Sequence, residues 1–251
     1  MHPAAFANLL LVVAGFFAGM INSVAGGGSF LTFPALVFAG VPLVASNATS
    51  TVALLPGTFA SIFSYRGRTA DIPGLNYWAL LTVCIAGGLL GSVLLLKTPE
   101  SAFVSIAPWL LLFATIVFAF GKQISGFLRA RFHIGAVVLF CIQGLIAIYG
   151  GYFGGGIGIM MLAGLSLYGM TDINAMNGLK TTMGGAMNLV AAMIFIFSGL
   201  VHWQEAAVMA IASTAGGYLG ATYAQKLDPR YIRATVIIVG ALMTIYFFVR
   251  A

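Results

Sequence analysis

Ten apolar segments follow one another along the chain, and they carry almost no charge. Their approximate bounds are 4–22, 29–40, 47–65, 75–96, 102–121, 134–150, 157–168, 178–199, 204–225 and 231–249. A helix needs about 20 apolar residues to cross the hydrocarbon core of a bilayer. Only helices and closed barrels satisfy their backbone polar groups in lipid, and these runs lack the two-residue alternation of barrel strands. The sequence therefore predicts an all-α integral membrane protein.

The charge content supports the same class. Only 6% of the 251 residues are charged, whereas a soluble domain carries about 25%. We therefore expect the lipid bilayer to surround most of the chain. The apolar segments leave no room for a soluble domain, so residues 1–251 are predicted to form a single transmembrane domain. The basic residues lie at segment ends rather than in one stripe, which argues against nucleic-acid binding.

The chain contains an internal repeat. Two glycine triplets, Gly26–Gly28 and Gly154–Gly156, lie 128 residues apart, and each precedes an apolar segment of only about a dozen residues. The pattern Ala45-x-Asn47-x-x-x-Thr51 returns 130 residues later as Ala175-x-Asn177-x-x-x-Thr181. These matches predict two related halves, residues 6–121 and 135–249, each with about five segments, joined by the linker 122–134.

Basic residues orient the predicted helices, because cytoplasmic loops are enriched in Lys and Arg. An odd number of crossings in each half places eight basic residues on one side and two on the other, whereas four crossings per half give six and four. The odd count makes the halves inverted repeats in the cytoplasmic membrane, with loops 66–74, 122–133 and 226–233 in the cytoplasm. Two topologies give this eight-to-two distribution of basic residues. One has ten spans, and the other has six spans plus re-entrant hairpins at segments 1–2 and 6–7.

Each glycine triplet interrupts the apolar sequence where a short helix is expected to begin inside the membrane. The unpaired N–H groups and the dipole of such a helix favour an anion, and glycine lets the backbone approach it closely. Ser29 is also placed to cap its helix and to donate to a ligand. The alternative is that the triplets are tight turns or close-packed crossings. The predicted cradle comprises Gly26, Gly27, Gly28 and Ser29 in one half and Gly154, Gly155 and Gly156 in the other.

A second pair of polar clusters opens a long apolar segment in each half. Their members either cap these helices or bind a ligand, and they are Asn47, Thr49 and Ser50 in the first half and Asn177, Lys180 and Thr181 in the second. Lys180 has no acidic residue within four positions, and a basic side chain inside a membrane is expected to be functional. The alternative is that Lys180 extends to the membrane surface.

Isolated polar residues complete the candidate site. Asn22, Gln143 and Asn188 stand in apolar runs, where each either lines a path or bonds across helices.

The chain has no zinc-protease, nucleophile-elbow or phosphate-loop motif, and its three histidines are far apart in sequence. We therefore predict no enzyme activity, no catalytic residues, no cofactor and no metal site.

The motifs resemble those of the TauE/SafE family of sulfite exporters, within the toluene-sulfonate uptake permease superfamily. The resemblance rests on Asn22–Ser29, Phe33–Leu36 and Ala45–Thr51 in the first half and on Gly154–Gly158 and Asn177–Lys180 in the second. It implies transport of sulfite, sulfonates or related sulfur-containing organic anions. Family members are described with seven to nine spans, which differs from ten segments.

The expected function is therefore secondary transport of a small anion by alternating access. Export is expected to draw on the membrane potential alone or on a coupling proton. A passive anion channel is the main alternative, because channels also use inverted repeats. A metal-cation carrier is less favoured, since it would need His or carboxylate ligands in the core.

Overall fold

The computed structural model describes residues 3–24, 26–64, 75–223 and 229–250. Its described part consists of ten helices, one for each predicted segment, which confirms the all-α class. In chain order they are α1 (Pro3–Val24), α2 (Ser29–Phe38), α3 (Leu43–Ser64), α4 (Tyr77–Lys97), α5 (Glu100–Arg129), α6 (Ala136–Tyr152), α7 (Ile157–Leu167), α8 (Ile173–Phe197), α9 (Trp203–Tyr223) and α10 (Pro229–Arg250). The predicted loop 66–74 and residues 226–228 lie outside the described residues.

The predicted linker is mostly helical. Helix α5 continues to Arg129, so only a short connection remains of the interval 122–134. The reason is that apolar residues recur at helical spacing beyond the predicted end, as Ile124, Phe127 and Leu128. A helix of this length extends past the thickness of a bilayer core.

Helices α1 to α5 correspond in order to α6 to α10, and corresponding helices make corresponding contacts. Helix α1 packs on α9 and α6 on α4, while α3 packs on α9 and α8 on α4. Helices α3 and α8 contact each other, as do α5 and α10. The rings of Trp109 and Phe248 lie 5.1 Å apart, and Thr115 contacts Gly240. Helices α5 and α10 therefore run antiparallel.

Glycines bring the backbones of the paired helices together. Gly19 and Gly216 of α1 and α9 face the carbonyls of Ser213 and Phe16, and Gly91 of α4 faces the carbonyl of Ile148 in α6. A side chain at any of these positions would overlap the opposite backbone. The Gly-x-x-x-Gly pairs at 15 and 19, 87 and 91, and 216 and 220 are thus helix-packing faces.

The bundle has two ends, which we name after a residue at each. At the Glu100 end, the carboxylate of Glu100 accepts hydrogen bonds from the backbone of Leu43 at 2.6 Å and Val44 at 3.2 Å. The His202 backbone N–H also donates there to Thr49. At the Ile134 end, the N–H of Ile134 donates to the carbonyl of Leu167 at 3.3 Å. Helices α6 and α7 therefore form a hairpin that leaves and returns at the Ile134 end.

Helix length separates spanning from partial elements. Among the described residues, α4, α8 and the stretch Glu100–Gly121 of α5 are long and apolar enough to cross a bilayer on length and composition. Helices α2 and α7 have 10 and 11 residues, which rise only about 15–17 Å. Each covers about half of the ~30 Å hydrocarbon core.

The contact of Glu100 with the start of α3 gives a test of the fold. We expect Glu100→Ala to lower the free energy of unfolding by about 1–2 kcal/mol, because two N–H groups of α3 lose their acceptor. Glu100→Gln keeps one of the two oxygen acceptors, so one N–H group loses its partner, and the charge interaction with the helix dipole, about 0.3–1 kcal/mol, is lost as well. Denaturant titration of the purified protein measures both.

Glu205→Ala is the matched control. Glu205 lies at the same end and forms an ion pair with the exposed His202 at 3.9 Å, so its loss should cost less than about 1 kcal/mol. Equal losses for the Glu100 and Glu205 variants would contradict the capping role.

Candidate functional site

The two glycine-containing breaks meet inside the bundle. A Cβ atom added to Gly26 would lie 2.7 Å from the Cα atom of Gly158, and one added to Gly154 would lie 3.6 Å from the hydroxyl oxygen of Ser29. The break between α1 and α2 therefore touches the start of α7, and the break between α6 and α7 touches the start of α2.

Backbone geometry explains why glycine occupies these breaks. Gly26 has φ +70° and Gly156 has φ +75°, in the left-handed region that L side chains rarely adopt. These turns let the chain reverse between α1 and α2 and between α6 and α7. Helices α2 and α7 then begin at Ser29 and Ile157, where the sequence predicted them to begin.

A polar hollow lies beside the meeting point. Its cavity volume is about 30 Å³, and it opens partly to the exterior. It is lined by Asn22, Gly26, Thr58, Ser61, Ile157, Gly158, Met161, Lys180, Thr181, Gly184, Gly185 and Asn188. The contributions come from α1, α3, α7, α8 and the first break.

Lys180 is the basic residue of the hollow. It is the eighth residue of α8 and is only 4% exposed. Its side chain therefore lies inside the bundle and does not extend to the membrane surface. Thr181 stands next to it, with 6% exposure, and Gly184 and Gly185 follow one turn later. The small residues leave room above the lysine.

The hollow extends from the middle of the bundle toward the Ile134 end. Thr58 and Ser61 belong to the last two turns of α3, which starts beside Glu100. Lys180 belongs to the early turns of α8, which starts just after the α6–α7 hairpin returns. The first turn of α7 also faces the hollow, and its N-cap Gly156 provides no side-chain bond to it.

Hydroxyl and amide groups surround the lysine. The side-chain amide of Asn22 donates to the hydroxyl of Thr58 at 3.1 Å. Thr58, Ser61 and Thr181 each donate to the backbone carbonyl four residues earlier in their own helix. Their oxygens are thus presented as acceptors, and a hydroxyl can rotate to donate instead when an anion is bound.

Several residues that the sequence predicted to bind the ligand do not line the hollow. The Asn47 amide donates to the carbonyl of Tyr152 at 2.7 Å, Thr49 accepts from the His202 N–H at 3.1 Å, and Ser50 shares a hydrogen bond with Thr32. Asn47 and Asn177 are not caps, because α3 and α8 begin four residues before them. Asn177 lies one turn before Thr181, and its side-chain oxygen is buried without a hydrogen-bond partner.

The remaining cradle residues pack against protein groups. Gly27 contacts the ring of Phe118, and Gly28 approaches the carbonyl of Ala18. Gly155 contacts the ring of Phe153, and Gly156 lies near Ala114. Ser29 is not a cap, since α2 has Gly28 at its N-cap position and no side-chain bond there. Of the six triplet glycines, Gly26 alone lines the hollow.

Sequence reasoning missed Thr58 and Ser61. The sequence does contain a signal for them, because Thr58, Ser61 and Ser64 form a series of hydroxyl residues three apart near the end of α3, and the first two line the hollow. Of the isolated polar residues, Asn22 and Asn188 line the hollow. Gln143 instead bonds across helices, from its amide to the carbonyl of Met161 at 3.1 Å.

Broken helices that meet beside a buried polar hollow, in a bundle of apolar helices, define a multi-pass membrane transporter. The family model described as "Sulfite exporter TauE/SafE" matches residues 11–247. The chain therefore belongs to the TauE/SafE family.

Similar proteins carry the same kind of description. A "Probable membrane transporter protein" of Haemophilus influenzae is 28% identical, covering 94% of this chain and 92% of its own. A "Probable membrane transporter protein ORF9" of Sinorhizobium sp is 29% identical, covering 98% and 94%. The Escherichia coli K12 protein YfcA, also described as a probable membrane transporter, is 26% identical, covering 90% and 84%. No solved structure matches the chain.

Proposed function

We propose that this protein is a secondary transporter of sulfite or an organosulfonate and that the hollow holds the anion. The observation that carries the proposal is Lys180, a basic residue buried in a polar hollow where two broken helices meet. The family supplies the sulfur-containing substrate class.

The groups around the hollow favour an anion. Lys180 supplies a donor with positive charge, and the first turn of α7 adds the positive end of a helix dipole. The amides of Asn22 and Asn188 and the hydroxyls of Thr58, Ser61 and Thr181 are able to donate to the oxygens of the anion. No described His, Cys, Asp or Glu lines the hollow, so a metal-cation carrier is not supported.

Helix directions support transport by alternating access between inverted halves. Helices α5 and α10 occupy equivalent places in the two halves and run antiparallel. A two-fold axis that relates antiparallel helices lies perpendicular to them, which for spanning helices means within the membrane plane. The two breaks meet at this axis and are therefore at equal depth from both surfaces.

The short helices α2 and α7 suit two re-entrant hairpins beside six spans, whereas α1 and α6, with 22 and 17 residues, are longer than half of the bilayer core and keep ten spans as the alternative. With their breaks meeting at mid-membrane, the hairpins α1–α2 and α6–α7 enter from opposite surfaces. The short α2 and α7, rising about 15–17 Å, return from the middle to the surface of entry. By the distribution of basic residues, the Ile134 end, which carries the linker, faces the cytoplasm.

Ligand-induced stabilisation tests the proposal. We expect sulfite, sulfoacetate, taurine or toluene sulfonate to raise the unfolding temperature of the detergent-purified protein, since a ligand at 100 times its Kd adds about 2.7 kcal/mol of stability. Chloride, lactate, sulfate and nickel, at the same ionic strength, are the controls.

Stabilisation by nickel alone would overturn the anion assignment. Equal stabilisation by every anion would indicate a nonspecific channel-like site rather than a carrier. Uptake of the stabilising anion into proteoliposomes, with saturation and with counterflow of the same anion, then separates a carrier from a passive channel.

A further inference from the structure

The two halves differ in the residues that flank the breaks. Gly158 and Met161 of α7 line the hollow. Their equivalents 128 residues earlier, in α2, are Phe30 and Phe33, and each is only 1% exposed. Lys180 likewise corresponds to the small Ser50. At the first of these pairs the first half has a large aromatic ring where the second half has glycine, whereas Met161 is as deeply buried as Phe33.

Phe33 is the centre of a group of four buried phenyl rings, which we name the aromatic plug. Its ring centroid lies 5.7 Å from that of Phe153, 5.7 Å from that of Phe247 and 6.5 Å from that of Phe103. All four side chains are at most 6% exposed. They come from α2, the second break, α10 and α5, so the plug joins both halves.

The plug and the hollow lie on opposite sides of the two breaks. Phe103 is in the first turn of α5, and Phe247 is in the last turn of α10, which runs antiparallel to α5. Both therefore lie toward the Glu100 end. The hollow lies toward the Ile134 end, as the positions of Thr58 and Lys180 show. The plug therefore fills the side of the two breaks that faces the Glu100 end, opposite the hollow.

The geometry points to the aromatic plug as the gate that closes the anion path toward the Glu100 end. The inference rests on the proposed transport function. In this inference the anion reaches the hollow from the Ile134 end, and Phe33 moves away from Phe103, Phe153 and Phe247 when the anion leaves at the other end. Phe33 is a positioning residue, because it blocks the path and does not touch the anion.

Labelling of a cysteine in the hollow tests the gate without any knowledge of the anion. The probe is Asn188→Cys in a Cys84→Ala, Cys141→Ala background, treated with a charged, membrane-impermeant thiol reagent from each face of the membrane. The exposed His133→Cys and His202→Cys variants identify the Ile134 and Glu100 faces. We expect the parent probe to react from the Ile134 face. Adding Phe33→Ala should raise labelling from the Glu100 face at least tenfold.

Phe195→Ala is the matched control, since Phe195 is equally buried in the same hydrophobic core but has no ring contact with the plug among the described residues. Phe153→Ala is a second gate variant, with its ring in a break rather than in a helix. We expect both gate variants to raise labelling from the Glu100 face and the control to leave that labelling unchanged.

Three results would overturn the gate. They are a parent probe that reacts from the Glu100 face or from neither face, gate variants that leave the labelling unchanged, and an equal increase in Phe195→Ala. A protein that shows the gate but no stabilisation by any anion would instead refute the substrate assignment, so the two failures are distinguishable.

Discussion

Replacing Lys180 with alanine is expected to weaken binding of the transported anion by at least about 30-fold, the equivalent of roughly 2 kcal/mol or more for removing one partner of a buried charged contact. The reason is that Lys180 lies in the hollow at 4% exposure, where few waters are available to replace its interaction with the anion. Stabilisation by the anion and its uptake into proteoliposomes should both be lost.

Two variants make this result specific. Ser50→Ala changes the equivalent residue of the first half, which is buried against Thr32 outside the hollow, and it should leave anion binding unchanged. Lys180→Arg keeps the charge but adds volume, so it should bind more tightly than Lys180→Ala. An anion that stabilises Lys180→Ala as well as it stabilises the parent would show that the binding site lies elsewhere.

A large effect on stability is expected for Gly26→Ala. A left-handed backbone costs an L side chain about 1–2 kcal/mol, and forcing an extra methyl into a packed interior costs about 1–3 kcal/mol. Gly26 meets both conditions, because its φ is +70° and its Cβ would lie 2.7 Å from the Cα of Gly158. We therefore expect a loss of about 2–5 kcal/mol, much of the roughly 5–15 kcal/mol that holds a typical protein folded.

Two glycines separate the contributions. Gly40 has φ +91° but nothing within 4 Å of an added Cβ, so Gly40→Ala should show the backbone cost alone. Gly126 lies inside α5 with open space around it, and Gly126→Ala should stabilise the helix by about 0.5–1 kcal/mol. Unfolding titrations compare the three, and similar losses for Gly26→Ala and Gly40→Ala would mean that the breaks do not pack tightly.

The comparison of sequence and structure is informative at the polar clusters. Asn47, Thr49 and Ser50 read as ligand-binding residues, yet each bonds a group of the protein. Thr58 and Ser61 escaped notice because serine and threonine are common in membrane helices, where they bond their own backbone. Whether a polar side chain in a helix faces the hollow or a neighbouring helix depends on how that helix is rotated about its own axis, which the sequence does not give.

The sequence by itself determined the elements and where they break. Apolar runs of fixed length specify membrane helices, and Gly26 and Gly156 mark the breaks because left-handed backbone is a local requirement. It also identified Lys180 as unusual, since charge inside an apolar run needs no tertiary information to detect.

Only the tertiary structure decided which side chains share the hollow. Asn22 and Lys180 are separated by more than 150 residues and come together through the packing of α1, α3 and α8. That packing depends on how glycine faces such as Gly19 and Gly216 fit opposite backbones. The halves repeat in sequence, yet Phe30 fills the place that Gly158 leaves open, because a single difference in side-chain volume decides whether a buried position is filled or empty.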